Sequence, residues 1–217
     1  MSWIVFSRLN VALLAAMACV TLAGFLLLRP DHGLPLHWNW HGGVDRWGQG
    51  EGVLLLLPIA AGAMTLFFWL LDRAILKLDE LHGGRQYALG LSSALAVFVV
   101  LQVMIIAYGM GYPVKVSRAT AFVTAFFFIV IGNILPKVQP GAPRLDRPKS
   151  LDVSQQRRVH RLTGAVMMVS GFGLLIAAAL DVPAAWLNSG TMAAAFVPAV
   201  VGIAYTLLLQ SQRPRSG

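Results

Sequence analysis

Residues 86–114 read QYALGLSSALAVFVVLQVMIIAYGMGYPV and contain no Asp, Glu, Lys or Arg. An α-helix rises about 1.5 Å per residue and the hydrocarbon core of a bilayer is about 30 Å thick, so the stretch is long enough to cross a membrane. It is too short to divide into two full spans. The stretch therefore predicts one transmembrane helix.

Five further stretches lack charged residues, and each supplies at least 17 residues: 9–28, 53–71, 119–135, 162–180 and 182–212. Charged residues make up 12% of the 217-residue chain, against about 25% in a typical soluble domain. The apolar residues run continuously, which excludes a membrane β-barrel, because its strands alternate polar and apolar positions. The sequence predicts an all-α integral membrane protein with six transmembrane helices.

The first apolar run predicts a retained membrane anchor rather than a cleaved signal peptide. It is longer than a normal signal core and is followed by Arg29 and Pro30 without a small-residue cleavage site. Cys19, the single cysteine of the chain, lies within this run, so we expect no intrachain disulfide bond.

The distribution of Lys and Arg predicts the orientation. With the amino terminus inside, 13 of the 17 basic residues fall in inner segments and four in outer segments. Positively charged loops are retained in the cytoplasm, so we expect both termini on the cytoplasmic side of a bacterial inner membrane.

Seven basic residues lie in the inner segment 136–161. We expect this segment to meet anionic headgroups rather than nucleic acid. Its polar end also predicts an early start for the fifth helix.

The outer loop 29–52, RPDHGLPLHWNWHGGVDRWGQGEG, carries the side chains that could ligate a metal. The candidate ligands are His32, His37, His41 and Asp45, which are of the types that bind zinc or copper. The loop has no HExxH pattern and no cysteine, so our main prediction is that it holds no metal and no cofactor. Trp38, Trp40 and Trp47 are typical of residues at the membrane interface.

The spacing within this loop resembles a known signature. Residues 35–48 match P-x-H-[FW]-N-x-x-G-x-x-D-x-x-G, followed by an apolar run ending at Pro58. This pattern is similar to the DUF1648 domain at the amino end of the SdpI family, which is named after the immunity protein of the Bacillus sporulation-delaying toxin. The matching residues, and the outer-loop site that the resemblance implies, are Pro35, His37, Asn39, Gly42, Asp45 and Gly48.

A second resemblance flanks the inner segment. Residues 132–137 resemble the G-N-x-L-P-K pattern of the same family, and residues 160–164 resemble its H-R-L-x-G pattern. Between them, residues 141–151 correspond to a family stretch containing R-T-P-W, but lack its Trp and are about two residues shorter. The inner-face residues that the resemblance implies are Asn133, Pro136, Lys137, Arg147, His160 and Arg161.

The resemblance divides the chain into a DUF1648-like membrane region, 1–75, and an SdpI-like membrane region, 76–217. It implies a non-enzymatic protein that confers resistance to a secreted peptide toxin met at the outer loop. It also implies a cytoplasmic repressor recruited at the inner loop. Two alternatives remain open: a small transporter or channel, and a membrane metalloenzyme using the outer His and Asp groups. No ionisable residue lies inside the predicted spans, which argues against coupled transport.

Overall fold

The structure of the protein is a computed structural model that describes residues 5–28, 33–73, 84–138 and 151–212. Its elements in chain order are helix α1 (Arg8–Leu27), strands β1 (Leu34–Trp38) and β2 (Val44–Gly48), and helices α2 (Gly50–Leu71), α3 (Gly84–Gly109), α4 (Val116–Ile134), α5 (Val153–Ala179) and α6 (Ala184–Ser211). One turn of 3-10 helix, Leu135–Lys137, extends α4. All six helices are long and apolar enough to cross a membrane, as predicted.

The early start predicted for the fifth helix is also confirmed. The Asp152 side chain accepts a hydrogen bond from the Gln155 backbone N–H at 2.8 Å, and the Gln155 side chain accepts one from the Asp152 N–H at 3.2 Å. This reciprocal pair forms a capping box, which supplies partners for N–H groups that the first turn leaves free. Helix α5 therefore begins nine residues before the apolar run that identified it.

Strands β1 and β2 are the part of the described chain that departs from the all-α prediction. They pair antiparallel, with Leu34 opposite Gly48 and Trp38 opposite Val44. Register shifts on either side of His37 interrupt the ladder. Two strands alone are marginally stable in water, so this hairpin depends on packing against the helix ends.

The helices pack in two groups of three, α1–α3 and α4–α6, joined where α3 contacts α4. We call the end of the bundle that carries the hairpin and residues 110–115 and 180–183 the hairpin face. The opposite end, where α1 begins and α6 ends, is the terminal face. One buried cluster lies among α4, α5 and α6, and two others lie among α1, α2, α3 and the hairpin. The predicted division into regions 1–75 and 76–217 stays a prediction.

Helices α4 and α5 approach closely because glycines face each other. A methyl group added at Gly132 would lie 2.6 Å from the Gly164 carbonyl oxygen, and one added at Gly164 would lie 2.6 Å from the Gly132 carbonyl oxygen. Gly171 lies similarly close to the Ala125 carbonyl oxygen. Small residues permit such approaches between membrane helices. The GN and HRLTG patterns of the inner face therefore meet through their glycines.

Buried polar side chains connect the helices of the first group. Pro58 has no N–H, so the carbonyl oxygen of Leu54 lacks its usual partner within α2. The fully buried side chain of Gln102 supplies it, donating from Nε2 to that oxygen at 2.8 Å and approaching Thr21 Oγ1 at 3.2 Å. Near the terminal face, buried Asn10 accepts a hydrogen bond from Ser92. These contacts hold α1, α2 and α3 together.

Candidate functional site

The outer-loop motif forms the β-hairpin, and most of its residues have an identifiable role there. Asn39 organises the turn, because its Oδ1 accepts hydrogen bonds from the N–H groups of His41 at 2.9 Å and Gly43 at 3.0 Å. Gly42 has a φ of +83°, a conformation that a residue with a Cβ rarely adopts. A methyl group added at Gly48 would lie 2.6 Å from Val53 Cγ2, so Gly48 lets the hairpin meet α2.

His37 and Asp45 join the two strands across the hairpin. Their Nδ1 and Oδ1 atoms are 2.6 Å apart, and both side chains remain largely exposed. Pro35 of β1, by contrast, is fully buried. In the motif, three residues thus set the backbone conformation or its close packing, one is buried, and two form an exposed polar pair. They are, in that order, Asn39, Gly42 and Gly48; Pro35; and His37 with Asp45. The spacing between His37 and Asp45 in the sequence reflects the pairing of two strands rather than one face of a helix.

The hairpin packs against the first helix group. Buried Leu34 packs against Gly109, where an added methyl group would lie 2.4 Å from Leu34 Cδ2. Trp38 and Trp47 both contact Tyr108 of α3, with ring centroids 6.3 and 6.1 Å apart. Two of the tryptophans assigned to the interface are therefore also packing residues of the hairpin.

The tip of the hairpin reaches the second helix group. Asn188 of α6 donates a hydrogen bond from Nδ2 to the Trp40 carbonyl oxygen at 2.7 Å. Gly42 lies against α4 and α6, so that a methyl group there would be 2.9 Å from Ser117 Oγ and 3.6 Å from Ala184 Cβ. The hairpin consequently bridges the two helix groups at the hairpin face.

Two clefts flank this bridge. The strand cleft, about 400 Å³, lies between β1 and helices α4 and α6. It is lined by residues 36–40 of the hairpin together with Val116, Ser117, Thr120, Asn188, Thr191 and Met192. The turn cleft, about 420 Å³, lies beneath His41 and Gly42 and is lined on its other side by residues 114–118 and 181–184 and by Leu187. The strand cleft is thus lined by apolar side chains and hydroxyl groups, whereas the turn cleft beside it is lined in part by charged side chains.

The charged residues of the turn cleft form an ion-pair cluster. Asp181 meets Lys115 Nζ at 2.9 Å and Arg118 Nη1 at 3.1 Å. The hydrogen bond from Lys115, followed by the positive charges of Arg118 and Lys115, lowers the pKa of Asp181 below its ordinary value. Arg118 also donates to the Ala178 and Ala179 carbonyl oxygens, which satisfies the end of α5. No sequence pattern predicted this cluster, although Asp181 is the only charged residue in 162–212.

The inner-face motif residues are brought together only in part. Lys137 Nζ donates to Asn133 Oδ1 at 3.0 Å, and Pro136 packs against Gly164. Among the described residues, His160 Nδ1 is buried without a hydrogen-bond partner, and Arg161 is exposed. Of the polar side chains Asn133, Lys137, His160 and Arg161, the structure thus joins Asn133 to Lys137. Arg147 lies outside the described residues.

The candidate metal ligands do not assemble into a three-ligand group in the described ranges. His37 and Asp45 contact each other, but no group of three His, Cys, Asp or Glu side chains forms in this part of the chain. His32 lies outside the described residues. The geometry that is visible at the hairpin is therefore a polar pair on an exposed surface.

Comparison with protein-family models, with curated proteins and with solved structures found no match to this chain. The resemblance to the SdpI family accordingly rests on the sequence motifs described above.

Proposed function

We propose that this chain is an SdpI-like immunity and signalling protein of a bacterial cytoplasmic membrane, with both termini inside. In this proposal it gives resistance to a secreted peptide toxin, which it recognises at the hairpin face. The observation that carries the proposal is the position of the hairpin. The motif residues build a defined surface that bridges two helix groups and has a cleft on each side.

The membrane location is supported by the apolar side chains on the outside of the helices. Many large apolar residues of the helices are exposed, and Leu26, Val169 and Trp186 are more than 70% exposed. So many such residues would not remain in contact with water in a soluble protein. The distribution of basic residues supports an extracellular hairpin, which is where a secreted peptide would arrive.

The two clefts suit a peptide that has both apolar and polar groups. The strand cleft presents Trp40 and Met192 beside the hydroxyl groups of Ser117 and Thr120. Aromatic and Met side chains are enriched at sites of protein recognition. Exposed His37 lines the strand cleft and contacts Asp45, so substitution of this pair should change recognition without removing a buried contact.

Signalling to the cytoplasm is supported by the path of α4. This helix begins beside both clefts, at Val116 and Ser117, and ends at the glycine contact with α5. A peptide wedged between the hairpin and α4 would press on a helix whose other end carries Asn133 and Lys137. We propose that a cytoplasmic repressor is recruited at that end.

Transport is less well supported by the buried polar groups. Gln102 serves the Leu54 carbonyl oxygen that Pro58 leaves free, and Asn10 is bonded to Ser92. Asn10 and the Nε2 group of Gln102 thus make contacts between helices, while Gln102 Oε1 is buried without a hydrogen-bond partner among the described residues. Coupled transporters usually place ionisable groups near the middle of the membrane.

The test is survival of a sensitive bacterium expressing the protein. Cells are challenged with the Bacillus sporulation-delaying peptide and with a panel of other secreted membrane-active peptides. We expect wild-type protein to protect against at least one of them. The double variant His37→Ala/Asp45→Ala should lose this protection while reaching the membrane in the same amount.

Glu51→Gln is the matched control, because Glu51 is an exposed carboxylate at the start of α2, close to the hairpin but outside the clefts. It should protect as well as wild type. Absence of protection against every peptide at normal expression would overturn the proposal. So would full protection by the double variant, because recognition would then not involve His37 and Asp45.

A further inference from the structure

A groove between α1 and α2 opens on the side of the bundle, far from the hairpin clefts. Its volume is about 480 Å³. Phe6 and Leu14 line it from the α1 side, and Gly62, Leu66, Trp69 and Arg73 line it from the α2 side. Phe6 and Leu66 are exposed, so the groove is open to the surroundings of the helices rather than enclosed.

The α2 wall of the groove runs along one face of the helix for the depth of one leaflet. Residues 62, 66, 69 and 73 are spaced by four, three and four, which places them in one row. At about 1.5 Å per residue the row is about 16 Å long, close to half of the 30 Å hydrocarbon core. It begins near the middle of α2 and ends at the terminal face.

The interior of the groove is suited to a hydrocarbon chain. A methyl group added at Gly62 would meet nothing within 4 Å, so the missing side chain leaves open space there. Thr65, the polar residue of the wall apart from Arg73, is buried and donates its hydroxyl to the Ala61 carbonyl oxygen at 2.8 Å. The hydroxyl group of Thr65 is therefore satisfied within α2.

The end of the groove at the terminal face carries a positive charge. The Arg73 guanidinium lies 5.4 Å from the centroid of the Trp69 ring, a distance typical of a cation–π contact. Among the described residues, Arg73 has no carboxylate partner. The neighbouring Asp72 is buried and is not part of the groove wall. The guanidinium thus lies at the terminal-face end of the groove, and no residue of the described ranges accepts a hydrogen bond from it.

We propose that this groove binds an anionic phospholipid of the cytoplasmic leaflet, with one acyl chain along Gly62 and Leu66 and its phosphate on Arg73. Arg presents several donors in a planar fork that matches a phosphate group. The length of the groove fits one leaflet, and the charge at its end selects an anionic headgroup. The inference rests on the proposed membrane location and is independent of peptide recognition at the hairpin.

The test measures lipid binding to the purified full-length protein in detergent by native mass spectrometry. Phosphatidylglycerol and phosphatidylcholine with identical acyl chains are titrated separately. We expect tighter binding of phosphatidylglycerol by about fivefold, because one basic residue near a membrane surface is worth about 1 kcal/mol. Arg73→Gln should remove this difference, and Gly62→Leu should weaken the binding of both lipids by filling the groove.

Two control variants separate the groove from general effects. Arg158→Gln removes an exposed charge from the first turns of α5, and Gly173→Leu adds the same side chain at another glycine that faces open space. Both should bind the lipids as wild type does. Equal affinity of wild-type protein for the two lipids would overturn the proposal, as would equal losses in the variants and their controls. A failed peptide-challenge experiment leaves this measurement unaffected.

Discussion

At the residue scale, the contact between Gln102 and the Leu54 carbonyl oxygen shows how a proline is accommodated inside an apolar helix. Pro58 removes the N–H that this oxygen would normally accept, and the buried amide on α3 replaces it at 2.8 Å. An unpaired carbonyl in a membrane interior is costly, so neighbouring side chains commonly fill this role. Gln102 lies within the predicted span 86–114, but its partner on another helix could not be identified from the sequence.

We expect Gln102→Leu to lower the free energy of unfolding in detergent by about 1 kcal/mol, a usual size for a hydrogen bond between membrane helices. In a Pro58→Ala background the loss should be smaller, because residue 58 then donates to Leu54 itself. Thermal unfolding of the four proteins in this double-mutant cycle measures the difference.

The second proline inside a helix, Pro198 of α6, provides the control background for this cycle. The loss caused by Gln102→Leu should be the same in Pro198→Ala as in wild type. A loss that is identical in all three backgrounds would show that Gln102 does not compensate for Pro58.

The ion pairs of Asp181 predict that the stability of the folded protein depends on pH. Its pKa lies below the ordinary value of 3.8 because Lys115 donates a hydrogen bond to it and Arg118 lies beside it. The ion pairs therefore stabilise the folded protein fully above that value and are lost as pH falls through the lower folded-state pKa. Asn tolerates the φ of 55° found at this position, so Asp181→Asn removes the charge with little backbone strain.

We expect the unfolding temperature of Asp181→Asn to be below that of wild type at neutral pH. The gap should close in strong acid, where the wild-type carboxyl is also neutral. A gap that persists unchanged through this pH range would assign the effect of the substitution to packing rather than to charge.

At the element scale, the closest helix contact involves α4 and α5, where backbone oxygens would meet any added Cβ. Gly132→Ala and Gly164→Ala should each force the helices apart and destabilise the protein by about 1–3 kcal/mol, the usual cost of overpacking. Gly173→Ala is the control, since its Cβ would meet nothing within 4 Å and alanine favours helix.

The measurement is thermal unfolding of the three variants in the same detergent. We expect Gly173→Ala to be as stable as wild type or more so, while the other two unfold at lower temperature. Equal stability of Gly132→Ala and wild type would contradict the close contact between α4 and α5.

The elements also show how far the sequence could be interpreted. The six helices were predictable because charged residues are excluded from apolar spans. The hairpin was not, because its strands are short and the family resemblance identified residues without their conformation. Asn39 and Gly42 are of residue types that favour turns, but the pairing of His37 with Asp45 required knowledge of the register. Asn10 was missed because its role depends on Ser92, which is 82 residues away in the chain.

At the scale of the whole molecule, the hairpin bridges the α1–α3 and α4–α6 groups at one face, while the terminal face carries the remaining helix ends. The proposed orientation of the protein in the membrane predicts which of these two faces reacts with a thiol reagent that does not cross the membrane. In a Cys19→Ala background, Arg46→Cys on the hairpin should be labelled in intact cells. Arg158→Cys on α5 should be labelled only after lysis.

Cys19 is the only native thiol, so each of these variants carries a single reactive group. Mass spectrometry of the labelled protein distinguishes the two positions. Labelling of Arg158→Cys in intact cells, with protection of Arg46→Cys, would reverse the proposed orientation and place the hairpin in the cytoplasm.

The most direct test of peptide recognition at the hairpin face is binding to the protein in lipid nanodiscs. The probe is a fluorescent form of the peptide against which wild-type protein protects cells. Thr191→Trp fills the strand cleft, and Val169→Trp places the same ring on the exposed surface of α5. We predict that Thr191→Trp weakens binding at least about tenfold, or 1.4 kcal/mol, while Val169→Trp binds as wild type does. Undiminished binding by Thr191→Trp would contradict recognition in the strand cleft.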